Sequence, residues 1–410
     1  MIQATTADRV ATATMARAGL ARLCAIGFLA YCSYAICRTP LLPLLARELG
    51  ADPPMVGFVV GASTLTGILL KLPAGAWSDV LGRRPLLVLG TVVFAAMPFT
   101  YLGMASLEAL VALRFIHGSA TAIVGPVAAA ALSDLAPTNR RATWLSTYST
   151  VQGAGQALGP VVAGYLIATG RYDIAFLVAG FFALATPFLA AGWPSTPSSP
   201  GRTPRIRQIA HGILDVSRQP LILMTSLAQA AQFVLNGTLN AFLPLFARDV
   251  LGVGPAALGW LFALRTISTL ATRPLMGMLS DRIERQGVIV AGLTVCAGAV
   301  LLVSFATSVL GLVIAIVSYA IGVAVTTAAT SAFITDLSRR ARYGAAHGVF
   351  GTIYDVGDAL GPIAAGVLVA SIGYARMFQV MATVALVVTI LFYLVSRVHR
   401  PSQAANANSG

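Results

Sequence analysis

The chain has 410 residues, 57% of them hydrophobic and 10% charged, with a net charge of +13. A soluble domain carries about 25% charged residues, so an ordinary water-soluble fold is excluded. The basic excess would suit a nucleic-acid binder, but no basic patch interleaved with aromatics accompanies it, and its distribution along the chain has another cause.

Nearly uncharged runs long enough to cross about 30 Å of hydrocarbon, roughly 20 residues each, recur throughout. They predict twelve spans near 20–46, 55–78, 86–105, 107–134, 142–169, 173–193, 220–248, 255–280, 287–306, 309–336, 343–371 and 374–396. All are read as helices, because lipid offers no partner to a free backbone group. The expected fold is an all-α integral membrane protein of two pseudo-symmetric six-helix bundles, over 20–194 and 219–397.

Residues 1–19 are polar and alanine-rich with scattered arginines, and read as a retained cytoplasmic tail rather than a cleaved signal. Span 1 carries Tyr31, Tyr34 and Arg38, with Arg38 in its outer half. Span 2 carries Lys71, the chain's single lysine, near the inner boundary, where it could snorkel. Between spans 2 and 3 lies "GAWSDVLGRRPLL", with Gly75, Asp79, Gly82, Arg83 and Arg84. Asp79 ends a helix, where a carboxylate faces partial negative charge. It therefore needs compensation, either from Arg83 one turn on or from the free amides that open span 11 near Tyr343.

Span 4 brings Arg114 and, three residues on, His117, read either as a proton relay or as a packed, hydrogen-bonded core histidine. Asp134, Pro137 and Arg141 follow in loop 4–5; they join the charge network of loop 2–3 or are simply solvated. Span 5 carries Gln152 and Gln156, then Gly155, Gly159, Pro160 and Gly164, small residues suited to close helix crossings. The stretch 195–218, rich in proline, serine and arginine, is the expected cytoplasmic linker, with 206–217 suited to a short interfacial helix.

Span 7 offers Gln229, Gln232, Asn236 and Asn240; span 8 offers Arg265 deep inside and Arg273 nearer the boundary. Span 11 holds the two membrane-embedded carboxylates, Asp355 and Asp358, beside Tyr354. They lie 12 and 15 residues past Tyr343, about 18–22 Å into a helix and on one face. Each would cost roughly 2.5–3.5 kcal/mol at the bilayer centre, so a cavity, a partner or a proton is expected. Proton carriage and a buried ion pair to a neighbouring helix are the two readings. Residues 398–410 form a second cytoplasmic tail.

Eighteen of the 27 basic residues fall on one side of this twelve-span topology, and only Arg47, Arg171, Arg248 and Arg376 on the other. That asymmetry explains the net charge and places both termini in the cytoplasm. Cys24, Cys32, Cys37 and Cys296 have no metal-like or disulfide spacing and read as packing residues. No metal or cofactor is expected.

"GQALGPVVAGYL" from Gly155 returns as "GDALGPIAAGVL" from Gly357, which repeats Gly357, Gly361, Pro362 and Gly366. "SDLAPTNRRA" from Ser133 is echoed from Thr335, and Asp79 by Asp281, all at an offset of 202 residues. A shared offset marks internal duplication. In the second copy of loop 2–3, Glu284 replaces Gly82 and Gln286 replaces Arg84, which weakens any second latch.

From about Ala21 to Arg397 the chain resembles the major facilitator superfamily. Gly75, Asp79, Gly82, Arg83 and Arg84 are similar to that family's loop 2–3 signature. Arg114-x-x-x-Gly118 resembles the motif of its proton-coupled members, and Gly155-x-x-x-Gly159-Pro160-x-x-x-Gly164 its antiporter motif. The resemblance implies alternating access about a central site, with loop 2–3 (Asp79 above all, with Asp134 and Arg141) latching the halves while the site opens outward. It also implies export by proton exchange, although duplication of the span 5 motif lets symmetric packing account for it.

The expected function is proton-coupled efflux of a small organic molecule, powered by the proton gradient, in a bacterial inner membrane, by a monomer. Asp355, Asp358 and Arg114 are the candidate proton-coupling residues. Tyr34, Arg38, His117, Gln152, Gln156, Gln232, Asn236, Asn240, Arg265 and Tyr354 are the candidate cavity. Three buried cations against two carboxylates tilt the substrate toward anionic, zwitterionic or neutral amphipathic molecules. Uptake of an organic anion by proton symport is the nearest alternative, and a non-transporting sensor or scaffold a second. Short loops and the lack of a nucleophile, phosphate-loop or metal-ligand motif argue against an enzyme.

Overall fold

The computed structural model describes residues 6–194, 219–280, 283–338 and 343–398. Among these there is no strand. The first half contains α1 (Thr6–Arg38), α2 (Leu41–Glu48), α3 (Pro53–Leu81), α4 (Arg83–Thr100), α5 (Leu107–Leu135), α6 (Arg141–Ala168), α7 (Tyr172–Leu184) and α8 (Thr186–Ala191). The second contains α9 (Pro220–Leu251), α10 (Pro255–Ser280), α11 (Arg285–Ser304), α12 (Val309–Leu337) and α13 (Tyr343–Val398).

All twelve expected spans fall on these helices. Eight described stretches are apolar and long enough to cross a membrane, and the last, Ala346–Val398, is 53 residues long and holds spans 11 and 12. Spans 3, 5 and 8 (α4, α6 and α10) are more polar. α4 opens on Arg83-Arg84, while α6 and α10 carry Gln152, Gln156, Arg265 and Arg273.

Several boundaries differ from the expectation. Most of the N-terminal tail is helical, since α1 starts at Thr6. Span 1 breaks after Arg38, because Pro40 cannot donate into the helix, and resumes as α2. Span 6 is divided between α7 and α8. The turn between spans 11 and 12 is a single glycine, Gly373, at φ 78° and ψ 172°, a conformation open to a residue without Cβ. The linker 195–218 with its suggested helix, Asp281, and the arginines at 282, 339, 340 and 342 lie outside the described residues.

The 202-residue repeat recurs in the packing. A Cβ on Gly155 or Gly159 would strike Phe28 or Cys32 of span 1; one on Gly357 or Gly361 would strike Ala230 or Val234 of span 7. These four glycines therefore hold helices together within one bundle. The third glycine of each motif crosses to the other bundle, Gly164 onto Pro255 and Gly259, and Gly366 onto Pro53 and Pro54. Gly57 against Pro362 and Gly259 against Pro160 complete the symmetric set. Equivalent caps also recur, since Ser106 accepts from Ala109 N and Ser308 from Gly311 N, both at 3.2 Å.

These inter-bundle crossings join span 2 to span 11 and span 5 to span 8, toward the membrane side opposite the arginine-rich loops. There one continuous hydrophobic core runs through both bundles, with Leu42, Val56 and Val60 beside Leu239, Phe242 and Phe262. Toward the arginine-rich loops the cores are separate, one around Leu23, Phe94 and Trp144, the others around Ile289, Phe333 and Val349. The bundles are closed against each other at one end and part toward the basic end.

Candidate substrate and ion site in the central cavity

Between the bundles lies a cavity of about 420 Å³. Tyr31, Tyr34, Arg38, Gln156, Asn236, Asn240, Arg265, Asp355 and Asp358 line it, as the sequence suggests. Each arrives on a helix that faces the axis with its polar residues and packs its remaining faces on neighbours or lipid.

Asp358 is the most heavily coordinated group in the wall. It accepts from Arg38 Nη2 at 3.3 Å, Thr64 Oγ1 at 3.2 Å and Asn236 Nδ2 at 2.9 Å, donors from spans 1, 2 and 7. Asp355 accepts from Lys71 Nζ at 2.5 Å. Both carboxylates belong to the second bundle and both cations to the first, so each pair bridges the two bodies. Buried charges of this kind need a partner or a proton, and here each has a partner.

Lys71 departs from the expectation of snorkelling. It lines the cavity because Asp355, across the interface, offers its ammonium a closer counter-charge than the membrane surface does. Its register with Arg273, 202 residues on, was the signal in the sequence. Ser63, Thr64 and Thr266 were also missed; nothing distinguishes them from hydroxyls that bond their own helix.

Four expected cavity or coupling residues stand back from the cavity. Arg114 is fully buried behind Tyr34, donating to Ser63 Oγ at 2.6 Å and to Tyr34 OH at 3.4 Å, with its Nε and Nη1 unpartnered. It positions Tyr34 rather than touching the cavity. His117 meets the packed-histidine description, 3.2 Å from Tyr101 OH and edge-on to Tyr34 and Phe94. Gln232 is held inside the second bundle, donating to Tyr319 OH at 3.2 Å. Tyr354 stacks on Phe233, centroids 4.6 Å apart. Their helical faces pointed inward, but toward neighbouring helices rather than the axis.

Gln152 lines a second cavity of about 300 Å³ between spans 5, 7, 8 and 10. It shares Gln156, Asn236, Arg265 and Thr266 with the first. Arg265 donates to Asn240 Oδ1 at 2.8 Å and lies over the Phe262 ring at 5.0 Å.

At the basic end, Arg83 gathers both acids of its loops, pairing with Asp79 at 2.6 Å and with Asp134 at 2.9 Å and donating to Ser78 Oγ at 2.6 Å. Partial burial works against its charge, but the bonds to Asp134 and Asp79 prevail and raise its pKa. Asp79 therefore takes its compensation from Arg83, inside its own bundle. The counterpart of the Arg83–Asp134 pair, Arg285 with Asp336 at 2.6 Å, is present in the second half, so more of that copy persists than Glu284 and Gln286 suggest. Arg141 is exposed at the start of α6 and, among the described residues, is not part of this network.

The profile of the Major Facilitator Superfamily matches residues 23–258 and again 225–409. The chain belongs to this family. An MFS-type transporter of Methanocaldococcus jannaschii, itself uncharacterised, is 22% identical over 371 residues, which cover 87% of this chain and 92% of that one. The class D tetracycline resistance protein of Salmonella ordonez is 27% identical over 276 residues, 66% of this chain and 69% of its own. Among solved structures, a bacterial homologue of the human lysosomal transporter Spinster, inward-facing and unoccupied, superposes with a TM-score of 0.75 at 17% identity, covering 93% and 97% of the two chains. The fold is that of a Major Facilitator Superfamily transporter, and the chain is a multi-pass membrane protein of that family rather than an enzyme.

Proposed function

We propose that this transporter exports a small organic molecule in exchange for protons, and that the structure stands in its inward-facing state. The observation that carries this is the pairing of Asp355 and Asp358, the cavity's carboxylates among the described residues, with Lys71 and Arg38 of the opposite bundle. A proton on either carboxylate releases a cation across the interface. The proton state is thereby tied to the relative position of the bundles, as coupling requires. The positive-inside bias supports a cytoplasmic basic end and cytoplasmic termini, and the membrane in this reading is a bacterial inner membrane. The cavity then awaits substrate from inside, with its carboxylates ionised after proton release. Similarity to a tetracycline resistance protein supports the outward direction.

The test is proton movement in everted vesicles on addition of compounds from a chemically diverse panel, for wild type and Asp358→Asn. An alkaline jump in the wild type with a transported compound, absent in the variant, is the expected result. Identical responses from the two proteins would remove Asp358 from coupling.

A second reading, uptake of an organic anion by proton symport, is favoured by one observation: Arg38, Lys71 and Arg265 outnumber the two carboxylates in the main cavity. Acidification on the same side, with an anionic substrate moving together with the proton, would select it.

A further inference from the structure

The two cavities differ in charge balance, and the repeat shows where the difference lies. Lys71 of span 2 faces Asp355 of span 11, and Arg38 faces Asp358. The same helix pairing recurs as span 8 against span 5, with the equivalent glycine crossings. At an offset of 202, Arg273 takes the place of Lys71, Gly153 that of Asp355 and Gln156 that of Asp358. The second cavity therefore keeps its cation and lacks both acids.

Arg265 adds a further positive charge to this wall. Neither Arg265 nor Arg273 has a carboxylate in ion-pair contact among the described residues. Arg265 spends one nitrogen on Asn240 and keeps Nη1 buried without a partner. The two arginines are eight residues apart, about 12 Å along the helix, within convergence of two long side chains. Gln152 and Gln156 add amide groups to the lining, Asn236 being engaged by Asp358, while Leu270 and Val323 are apolar. Two guanidinium groups and neutral donors, with no acid among the lining residues, form a receptor for an anion; the nearest carboxylate, Asp358, is already held by Arg38, Thr64 and Asn236.

We infer that the cavity between spans 5 and 8 is the subsite for the anionic group, a carboxylate or sulfonate, of an amphipathic organic substrate, held by Arg265 and Arg273. This inference rests on the transporter reading and holds for either direction of transport. The substrate brings the acid that Gly153 and Gln156 do not provide.

The experiment is equilibrium binding of 2-naphthoate, 2-naphthalenesulfonate and uncharged 2-naphthamide to the full chain in phosphatidylcholine nanodiscs, where no anionic lipid competes. Wild type is expected to prefer the anions over the amide by at least about tenfold, the scale of a charge-assisted contact. Arg265→Gln and Arg273→Gln are each expected to reduce that preference about tenfold, and Arg273→Lys to restore part of it. Gln156→Glu, which installs the missing acid with no change of size, should abolish the preference. Melting temperatures establish that each variant is folded.

Equal binding of anion and amide by wild type, no binding of either anion, or a preference that survives loss of both arginines would overturn the subsite. Transport of the uncharged amide by the same preparations, reconstituted into vesicles, would leave the transporter reading standing in that event. Failure of every probe to move would count against that reading instead.

Discussion

Arg47 of the first repeat is hydrogen-bonded to Asp249 of the second, and Tyr374 completes the contact. Arg47 donates to the Tyr374 hydroxyl at 3.0 Å, and that hydroxyl donates to Asp249 at 2.9 Å. Beside them Glu48 approaches Arg248 at 3.9 Å and accepts from Tyr172 at 2.7 Å. The Arg-Glu of "LPLLARELG" thus meets the Arg-Asp of "LPLFARDVLG" reciprocally, each arginine on the other's acid. This rim seals the end of the molecule where the bundles touch.

Reversing one member of the rim, by Arg47→Asp or Asp249→Arg, is expected to favour opening at that end. The side chains are partly exposed, so each pair contributes about 0.2–1 kcal/mol, a shift of up to about fivefold in the closed-to-open ratio. The double exchange should return the ratio toward wild type. Thiol accessibility at a cysteine introduced on the cavity wall reports the change, and a double exchange that behaves as the sum of two defects would refute pairing.

Loss of one partner from the Arg38–Asp358 pair leaves a charge facing a narrow polar cavity. Asp358→Asn or Arg38→Gln should each lower stability, by less than the about 3–5 kcal/mol of a dry pair because Arg38 retains 22% exposure. The double neutral variant should recover most of that stability and none of the proton coupling. Thermal melting and proton flux, measured on the same preparations, separate the two effects.

Gly57 and Gly259 admit the backbones of Pro362 and Pro160 at the sealed end. Gly57→Leu is expected to hold the bundles apart there, since the new Cβ would fall on a carbonyl that cannot move aside. Transport should drop at least about tenfold while the protein remains in the membrane, and a cysteine beside the rim should gain reactivity. Gly259→Leu should give the same phenotype through the symmetric crossing; if only one of the two does, the crossings are not equivalent.

Arg83 holds two acids, so removing either leaves it a counter-charge. Asp134→Asn should be mild, Asp79→Asn should abolish transport while membrane abundance persists, and the double variant should lower abundance as well. Vesicle transport beside quantitative immunodetection distinguishes the cases. Normal transport by Asp79→Asn would mean that the acid merely neutralises its arginine and takes no part in switching between states.

The helices were legible because lipid imposes one rule on every span, and the halves because the 202-residue offset is visible in short polar motifs. The cavity was legible where a charge had no business in hydrocarbon, as with Arg38, Arg265, Asp355 and Asp358. It was not legible where the rotation of a helix decides. Arg114 and Arg38 look alike in the sequence, yet one points among Tyr34, Ser63 and His117 and the other at Asp358. Lys71 was misplaced because its partner lies 284 residues away on the other bundle. The separate tasks of the glycines, Gly155 and Gly159 within a bundle and Gly164 between bundles, depend on which helix stands opposite.

The mirrored contacts bear on how such a molecule could arise. The crossings of Gly57, Gly164, Gly259 and Gly366 and the reciprocal rim could be made by two identical six-helix chains docked about a twofold axis, since each surface is its own complement. The acids of span 11 could not, because a twin would carry them too. The joints thus obey the twofold relation between the repeats, and the electrical lining of the cavity departs from it.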